Sequence, residues 1–231
     1  MHARDVMTTD VLTVAPDTNV RTIAQSLLDR GISAVPVVDQ QGHVMGIVSE
    51  GDLMRRAEAG TERHRSWWLD LLASPADKAR DFAKSHGLTA KDVMTQPVVT
   101  VTEDAPLAEI ATLLERHRIK RVPVVRDGAI VGIVSRANLL YGLVAKEAAP
   151  VTTPDDATIR QRVIDRVKEA GIDEGYINVV VAGGVVHLWG LLDSQVEKEA
   201  VRIAAETTPG VRAVENNLGV LPAPVVRGSW E

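Results

Sequence analysis

The chain contains three short patterns that recur in the same order, and this duplication limits its possible folds more than any other feature. The pairs are DVMTTDVLTV (Asp5–Val14) with DVMTQPVVTV (Asp92–Val101), SAVPVVD (Ser33–Asp39) with KRVPVVR (Lys120–Arg126), and GIVSEGDL (Gly46–Leu53) with GIVSRANL (Gly132–Leu139). The first two pairs are offset by 87 residues and the third by 86. A unit of about 55 residues cannot bury its apolar faces alone, so two copies should stack on each other.

Each copy predicts the element order β–α–β–β–α. Apolar residues at helical spacing form one stripe per copy: Val20, Ile23, Ala24, Leu27 and Leu28 in the first, and Leu107, Ile110, Ala111 and Leu114 in the second. Asp17 and Asp104 are the predicted N-terminal caps of these helices, and Pro106 suits a first helical turn.

Two short apolar strands follow each of these helices. Glycine-containing turns, at Gly42 and at Gly128, join the two strands of each copy. Ser49 and Ser135 should end the second strand and open a further helix.

The segment between the copies predicts a helical insert that ends near Gly87. Its Trp67-Trp68 pair has two interpretations, a membrane or partner anchor, or packing of the insert onto its own domain or a dimer mate. The insert also carries a basic cluster, which we interpret as a solvated helix face or as a group that reaches a bound polyphosphate. The cluster consists of Arg55, Arg56, Arg63 and Arg65.

After Pro150 the pattern changes to α–β–β–α–β. An amphipathic helix is predicted at 158–170, followed by two strands joined at Gly183-Gly184 and a second helix at 195–206. A last strand ends near Val220, and the residues from Pro222 on form a loose tail. We interpret His187, which alternates with apolar neighbours in a strand, as structural.

Composition excludes several functional classes. The net charge of −5 gives no basic surface for nucleic acid, and the absence of cysteine excludes disulfides and thiolate chemistry. No apolar run is long enough to span a bilayer or to act as a signal peptide, so we expect a cytoplasmic protein. The six histidines lack the spacing of a metal site, and no set of nucleophile, base and orienting group is recognisable. We therefore expect neither a catalytic site nor a bound metal, and no enzyme.

The turn Ser49–Asp52 carries the most chemistry. It matches a capping box, in which Ser49 caps a helix and Asp52 lies in the first turn. The same geometry also suits a ligand, since free backbone N–H groups at a helix start bind phosphate and a nearby acid can accept hydrogen bonds from ribose hydroxyls. The second copy replaces this acid with Asn138.

The duplicated DVMT, VPVV and G-I-V-S-x-x-D/N-L motifs resemble a tandem pair of cystathionine-β-synthase (CBS) domains, and the last segment resembles a BON domain by its element order and VVHLWGLLDS. The implied fold is α/β: two tandem β-α-β-β-α CBS units forming a pseudo-two-fold pair, plus a small C-terminal α+β (αββαβ) BON domain. The implied boundaries are 1–60 and 89–147 for the CBS units, 61–88 for the insert, 153–221 for the BON domain and 222–231 for the tail.

The resemblance implies a regulatory pair that binds AMP, ADP, ATP or S-adenosylmethionine without an obligatory cofactor, with Mg²⁺ as an accompanying ion, and that dimerises through its helical faces. BON domains are proposed to bind phospholipid or to mediate association with a protein partner. In CBS pairs the acid of one unit commonly faces the residues before VPVV in the other unit. The implied main site is therefore Ser49, Asp52, Ile119, Lys120 and Arg121.

The implied second site lacks both the cations and the carboxylate. It consists of Ile32, Ser33, Ala34, Ser135 and Asn138. Because hydrogen bonds to a charged group are worth roughly 1.5–3 kcal/mol against about 0.5–1.5 for neutral ones, we expect this site to be weaker by tenfold or more.

Two functions follow from these features. The chain is either a sensor whose CBS pair binds an adenine nucleotide and controls a partner, or a dimeric platform whose BON domain binds phospholipid or protein while the CBS pair is structural only.

Overall fold

A computed structural model describes residues 1–54, 86–148 and 154–221. The predicted insert lies outside the described residues up to residue 85, and so do the Trp67-Trp68 pair and the arginine cluster. The predicted tail from Pro222 also lies outside them. In chain order the first copy contains α1 (Ala3–Val6), α2 (Val20–Asp29), β1 (Ala34–Val38), β2 (Val44–Ser49) and α3 (Glu50–Leu53). The second copy contains α4 (Ala90–Val93), β3 (Val101–Thr102), α5 (Leu107–Arg116), β4 (Arg121–Arg126), β5 (Ala129–Ser135) and α6 (Arg136–Ala148).

The C-terminal domain contains α7 (Pro154–Glu169), β6 (Ile177–Ala182), β7 (Val185–Leu192), α8 (Gln195–Glu206) and β8 (Ala213–Val220). A 3₁₀ turn, Glu174–Tyr176, precedes β6. The mixed α/β class and the αββαβ order predicted from the sequence are therefore confirmed.

The β–α–β–β–α order of each copy is present, with a reduced first strand. In the second copy this strand is β3, and in the first copy it is a single parallel bridge between Val14 and Val37. The antiparallel β1–β2 pair places Ala34 opposite Ser49. The described sheets have the strand orders β1-β2, β3-β4-β5 and β6-β7-β8.

Two local predictions were wrong. Asp17 and Asp104 do not cap the helices; Asn19 caps α2 by accepting a hydrogen bond from the Arg21 N–H, and Pro106 occupies the cap position of α5 rather than its first turn. The asparagine succeeds because it is adjacent to the first helical residue, where its side chain reaches the N2 amide.

The predicted stripe of α2 is narrower than expected. Val20, Ile23 and Leu27 are buried, but Leu28 is 77% exposed. The buried residues follow i, i+3, i+7 spacing, and Leu28, at i+8, lies at the edge of the stripe, where it faces solvent.

The described chain forms two compact units that do not follow the order of the repeats. The second-copy unit takes Met1–Asp10, Val101–Val124 and the residues from Val131 on, whereas the first-copy unit takes Val11–Thr100 and Val125–Ile130. Each copy's opening segment thus belongs to the unit built mainly from the other copy. The core of the first-copy unit accordingly includes Ala90 and Val93 of α4 beside Val35 and Val48.

The opening segments, which are exchanged between the two copies, are held by identical backbone pairings. Thr8 exchanges two hydrogen bonds with Ile133, at 3.0 and 2.9 Å, and Thr95 exchanges two with Ile47, at 2.8 and 3.2 Å. Thr8 and Thr95 are the last residues of the two DVMT motifs, and the isoleucines belong to the two G-I-V-S motifs. The duplicated motifs therefore contact each other across copies within each unit.

The C-terminal domain packs two helices on one face of its sheet. Residues such as Val163 of α7, Val201 of α8 and Leu188 of β7 form its core. β6 and β7 are antiparallel, and β7 and β8 are parallel. Asp156 accepts hydrogen bonds from the amides of Gly183 and Gly184, at 2.8 and 2.7 Å, and so fixes the turn between β6 and β7.

Candidate functional site

The first candidate turn is a complete capping box. The Asp52 Oδ2 accepts hydrogen bonds from the backbone N–H and the hydroxyl of Ser49, at 3.0 and 2.7 Å, while the Asp52 N–H donates to the Ser49 Oγ. The other carboxylate oxygen, Oδ1, accepts from the Thr95 hydroxyl at 3.1 Å. Asp52 is only 8% exposed, so this carboxylate is a buried acceptor that joins the turn to the DVMT segment.

Ser33 and Ala34 lie beside this turn. The Glu50 N–H donates to the Ser33 carbonyl at 3.0 Å, and Ala34 pairs with Ser49 in the sheet. Ile32, half-buried, packs against the core of the first-copy unit. The structure therefore brings Ile32, Ser33 and Ala34, predicted for the second site, next to the turn of their own copy.

The second candidate turn reproduces the capping box with an amide. The Asn138 Oδ1 accepts from the backbone N–H and the hydroxyl of Ser135, at 2.8 and 2.6 Å. Its Nδ2 donates to the Val6 carbonyl at 2.8 Å and to the Asn178 Oδ1 at 3.2 Å. Asn138 is 2% exposed. The Asp52 Oδ1, which accepts a hydrogen bond, is thus replaced by the Asn138 Nδ2, which donates.

Ile119, Lys120 and Arg121 lie beside this second turn. The Arg136 N–H donates to the Lys120 carbonyl at 3.2 Å, and the Arg136 guanidinium donates to the Ile119 carbonyl at 3.3 Å. Lys120 is exposed, whereas Arg121, the first residue of β4, is half-buried. The predicted main site and second site each combine residues of both compact units, and both combinations stay predictions.

A further capping box, formed by Thr89 and Asp92, lies at the start of α4. The Asp92 Oδ2 accepts from the Thr89 hydroxyl at 2.7 Å and from the amides of Thr89 and Leu88, at 3.0 and 3.1 Å. The Thr89 hydroxyl bond, helped by the two amides, holds the pKa of Asp92 below its usual range against the opposing effect of burial. The lowered pKa keeps the Asp92 carboxylate ionised at neutral pH.

Sequence reasoning missed two polar residues that contact the second turn and its neighbours. Asn178 on β6 accepts from Asn138, and Arg160 on α7 donates to the Met7 carbonyl at 2.5 Å and to the Val179 carbonyl at 2.8 Å. Arg160 is 7% exposed, which is rare for an arginine. A charged residue inside an otherwise apolar helical stripe was the available signal for Arg160, whereas Asn178 gave none.

None of the described helices is long and apolar enough to cross a membrane. Within residues 1–54, 86–148 and 154–221, no three histidine, aspartate or glutamate side chains cluster as a metal site requires.

Comparison with known proteins gives two family matches. The CBS domain model matches residues 3–59 and 90–145, and the BON domain model matches residues 155–222. An uncharacterized protein of Methanocaldococcus jannaschii is 28% identical over 155 residues, which is 62% of this chain and 92% of that protein. The CBS domain-containing protein YhcV of Bacillus subtilis is 27% identical over 147 residues, which is 63% of this chain and 88% of that protein.

Among solved structures, the chain is similar to CBSX2 of Arabidopsis thaliana in complex with AMP. The TM-score is 0.54 and the identity 26%, and the likeness covers 62% of this chain and 96% of CBSX2.

Proposed function

Because the chain belongs to the proteins in which a pair of CBS domains precedes a BON domain, we propose that its CBS pair binds an adenine nucleotide at the Ser49–Asp52 turn and thereby regulates a protein partner. The observation that supports this most is the likeness to CBSX2, whose structure contains AMP. The chain acts by binding and not by catalysis, and needs no obligatory cofactor.

The Asp52 carboxylate offers the chemistry that a ribose needs. A ribose hydroxyl is an O–H donor of the same kind as the Thr95 hydroxyl, which Oδ1 already accepts at 3.1 Å. Ribose hydroxyls can therefore replace or join this donor without leaving the carboxylate unsatisfied. Lys120 and Arg121 are the predicted partners of the phosphates, because cations bind phosphate by charge-assisted hydrogen bonds.

Isothermal titration of the full chain with AMP, ATP and S-adenosylmethionine, with and without Mg²⁺, tests this proposal. We expect Asp52→Asn to lower the affinity for the bound ligand by about tenfold or more, because a charge-assisted hydrogen bond becomes a neutral one. The amide oxygen can still accept from Ser49, so the capping box should survive. Lys120→Ala should lower the affinity for AMP and ATP, and should lower the affinity for S-adenosylmethionine less.

Asp39→Asn is a matched control. Asp39 lies in the turn between β1 and β2, where it accepts from the His43 N–H at 2.8 Å, at the opposite end of the hairpin from Ser49. This variant loses the same charge and should bind the ligand with the affinity of the parent protein. Equal affinities for Asp52→Asn and the parent would refute the site. A complete absence of binding would favour the alternative, a platform whose BON domain binds phospholipid or protein.

We also propose that the chain forms a homodimer through α5 and α6. A groove of about 790 Å³ runs between these helices, and Leu140, Leu143 and Val144 are 61%, 59% and 52% exposed. Apolar side chains exposed together on one surface indicate an association site. Light scattering should give the mass of two chains, and Leu143→Glu should convert the dimer into a monomer. A monomeric parent protein would exclude this interface.

A further inference from the structure

The Asn138 amide is saturated. A primary amide has two donor hydrogens and two acceptor lone pairs, and Asn138 uses all four, with the two groups of Ser135, Val6 and Asn178 as partners. The orientation of the amide is unambiguous, because a backbone N–H needs the oxygen and a backbone carbonyl needs the nitrogen. A ribose hydroxyl could bind here only after one of these bonds is broken.

An aspartate could not make the same contacts. An ionised carboxylate only accepts hydrogen bonds, so at position 138 it would face the Val6 carbonyl and the Asn178 oxygen as acceptor against acceptor. Asp52 meets a hydroxyl donor, Thr95, at the corresponding place. An acid therefore stands where the facing group is a donor, Thr95, and an amide stands where the facing groups are acceptors, Val6 and Asn178.

One of those groups belongs to the BON domain, and further contacts surround it. Tyr141 of α6 stacks on Trp189 of β7 with ring centroids 4.9 Å apart and an interplanar angle of 13°. Arg160 of the BON domain donates to the Met7 carbonyl, next to Val6. The BON domain thus holds both the opening segment and the helix that follows the second turn.

Burial on the BON sheet leads to the same conclusion. Val180 and His187 are paired across β6 and β7, and both are fully buried. They alternate with the core residues Val179 and Leu188, so they lie on the sheet face away from α7 and α8. Since α1 and α6 contact β6, these elements cover that face.

We propose that the second turn motif serves as the docking site of the BON domain, with Asn138 as the residue that determines docking. The motif keeps the fold of a nucleotide-binding turn but uses its variable side chain for an interdomain bond. By linkage, any ligand that engages the Asn138 amide opposes docking. The docking itself is independent of the proposed nucleotide site at Asp52.

The experiment reads docking from the fluorescence of Trp189. The full chain is prepared with Trp67, Trp68 and Trp230 changed to phenylalanine, so that Trp189 is the only tryptophan. Asn138→Asp loses two donors in a buried position, so the equilibrium constant for docking should fall by about tenfold or more. Acrylamide quenching of Trp189 should rise accordingly, with unchanged far-ultraviolet circular dichroism.

Two further variants keep the test decisive. Asn178→Ala removes the acceptor on the BON side and leaves the Ser135 capping box intact. It should therefore also increase the quenching of Trp189, and it provides the test if Asn138→Asp fails to fold. Asp52→Asn makes the reverse exchange in the other copy and should leave Trp189 quenching unchanged. The proposal is overturned if folded Asn138→Asp and Asn178→Ala quench as the parent does, or if Asp52→Asn raises quenching equally. No nucleotide is added, so failure of the proposed ligand site cannot affect the result.

Discussion

The turns at Ser49–Asp52 and Ser135–Asn138 have the same hydrogen-bonded geometry, but Asp52 has a carboxylate oxygen where Asn138 has an amide nitrogen. In both, the serine N–H and hydroxyl donate to one side-chain oxygen of the last residue, at 2.6 to 3.0 Å. The remaining oxygen of Asp52 accepts from the Thr95 hydroxyl, whereas the nitrogen of Asn138 donates to the Val6 carbonyl. The shared half preserves the helix start, and the variable half selects a partner.

This difference shows that a degenerate motif need not be a weakened one. Judged as a ribose anchor, Asn138 has lost a charge. Judged by its contacts, it has gained two donors and serves two acceptors, the buried Val6 carbonyl and the half-buried Asn178 side chain. A buried acceptor that loses its donor costs about 1–3 kcal/mol, so the Val6 carbonyl alone is enough to favour asparagine at position 138 without any ligand.

The largest expected effect tests what the two turns share. A Cβ at Gly46 would overlap the Met94 side chain, and a Cβ at Gly132 would overlap Met7 and approach the Thr8 carbonyl. Gly46→Val and Gly132→Val should therefore each lower the free energy of unfolding by about 2–3 kcal/mol, because overpacking forces the exchanged segment to shift. Urea unfolding monitored by circular dichroism measures both changes.

Gly51→Ala is the control for this pair. Among the described residues, a Cβ at Gly51 meets only the Ser49 Oγ, at 3.7 Å, and alanine has a higher helix propensity than glycine. This variant should be as stable as the parent or slightly more stable. If Gly46→Val and Gly132→Val also left stability unchanged, the exchange of opening segments between the copies would be disproved.

The local elements could be predicted from the sequence because their signals are local. The apolar spacing of α2 and α5, the glycine turns and the serine at each strand end all act within a few residues, and each element was found. The predicted cap of α2 was wrong because Asp17 and Asn19 are both suitable capping residues and lie two residues apart. Only the observed start of the helix distinguishes them.

The partners of the candidate site could not be predicted, because they are distant in the chain. Thr95 lies 43 residues from Asp52, Val6 lies 132 from Asn138, and Asn178 lies 40 from it. The repeat aligns the opening DVMT segments with their own copies, but hydrogen bonding pairs each segment with the turn of the other copy. A pattern within one copy contains no information about that exchange.

The smallest effect tests what distinguishes the turns. Thr95→Val keeps the shape of the side chain but removes the hydroxyl that donates to the Asp52 Oδ1. Because Thr95 is exposed and water can partly replace it, we expect a loss of about 1 kcal/mol in the free energy of unfolding. Thr8→Val is the matched change in the other copy. Thr8 contributes through its backbone pairing with Ile133, which valine retains, so stability should change by less than about 0.5 kcal/mol.

Equal losses for Thr95→Val and Thr8→Val would mean that the acid and the amide do not select different partners. A loss confined to Thr95→Val would show that the two turns differ in what they hold, since the backbone around both threonines is paired alike. Combining Thr95→Val with Asp52→Asn refines this result further. If the hydroxyl acts only through the carboxylate, the double variant should be less destabilised than the sum of the two single changes, because contacting residues are not additive.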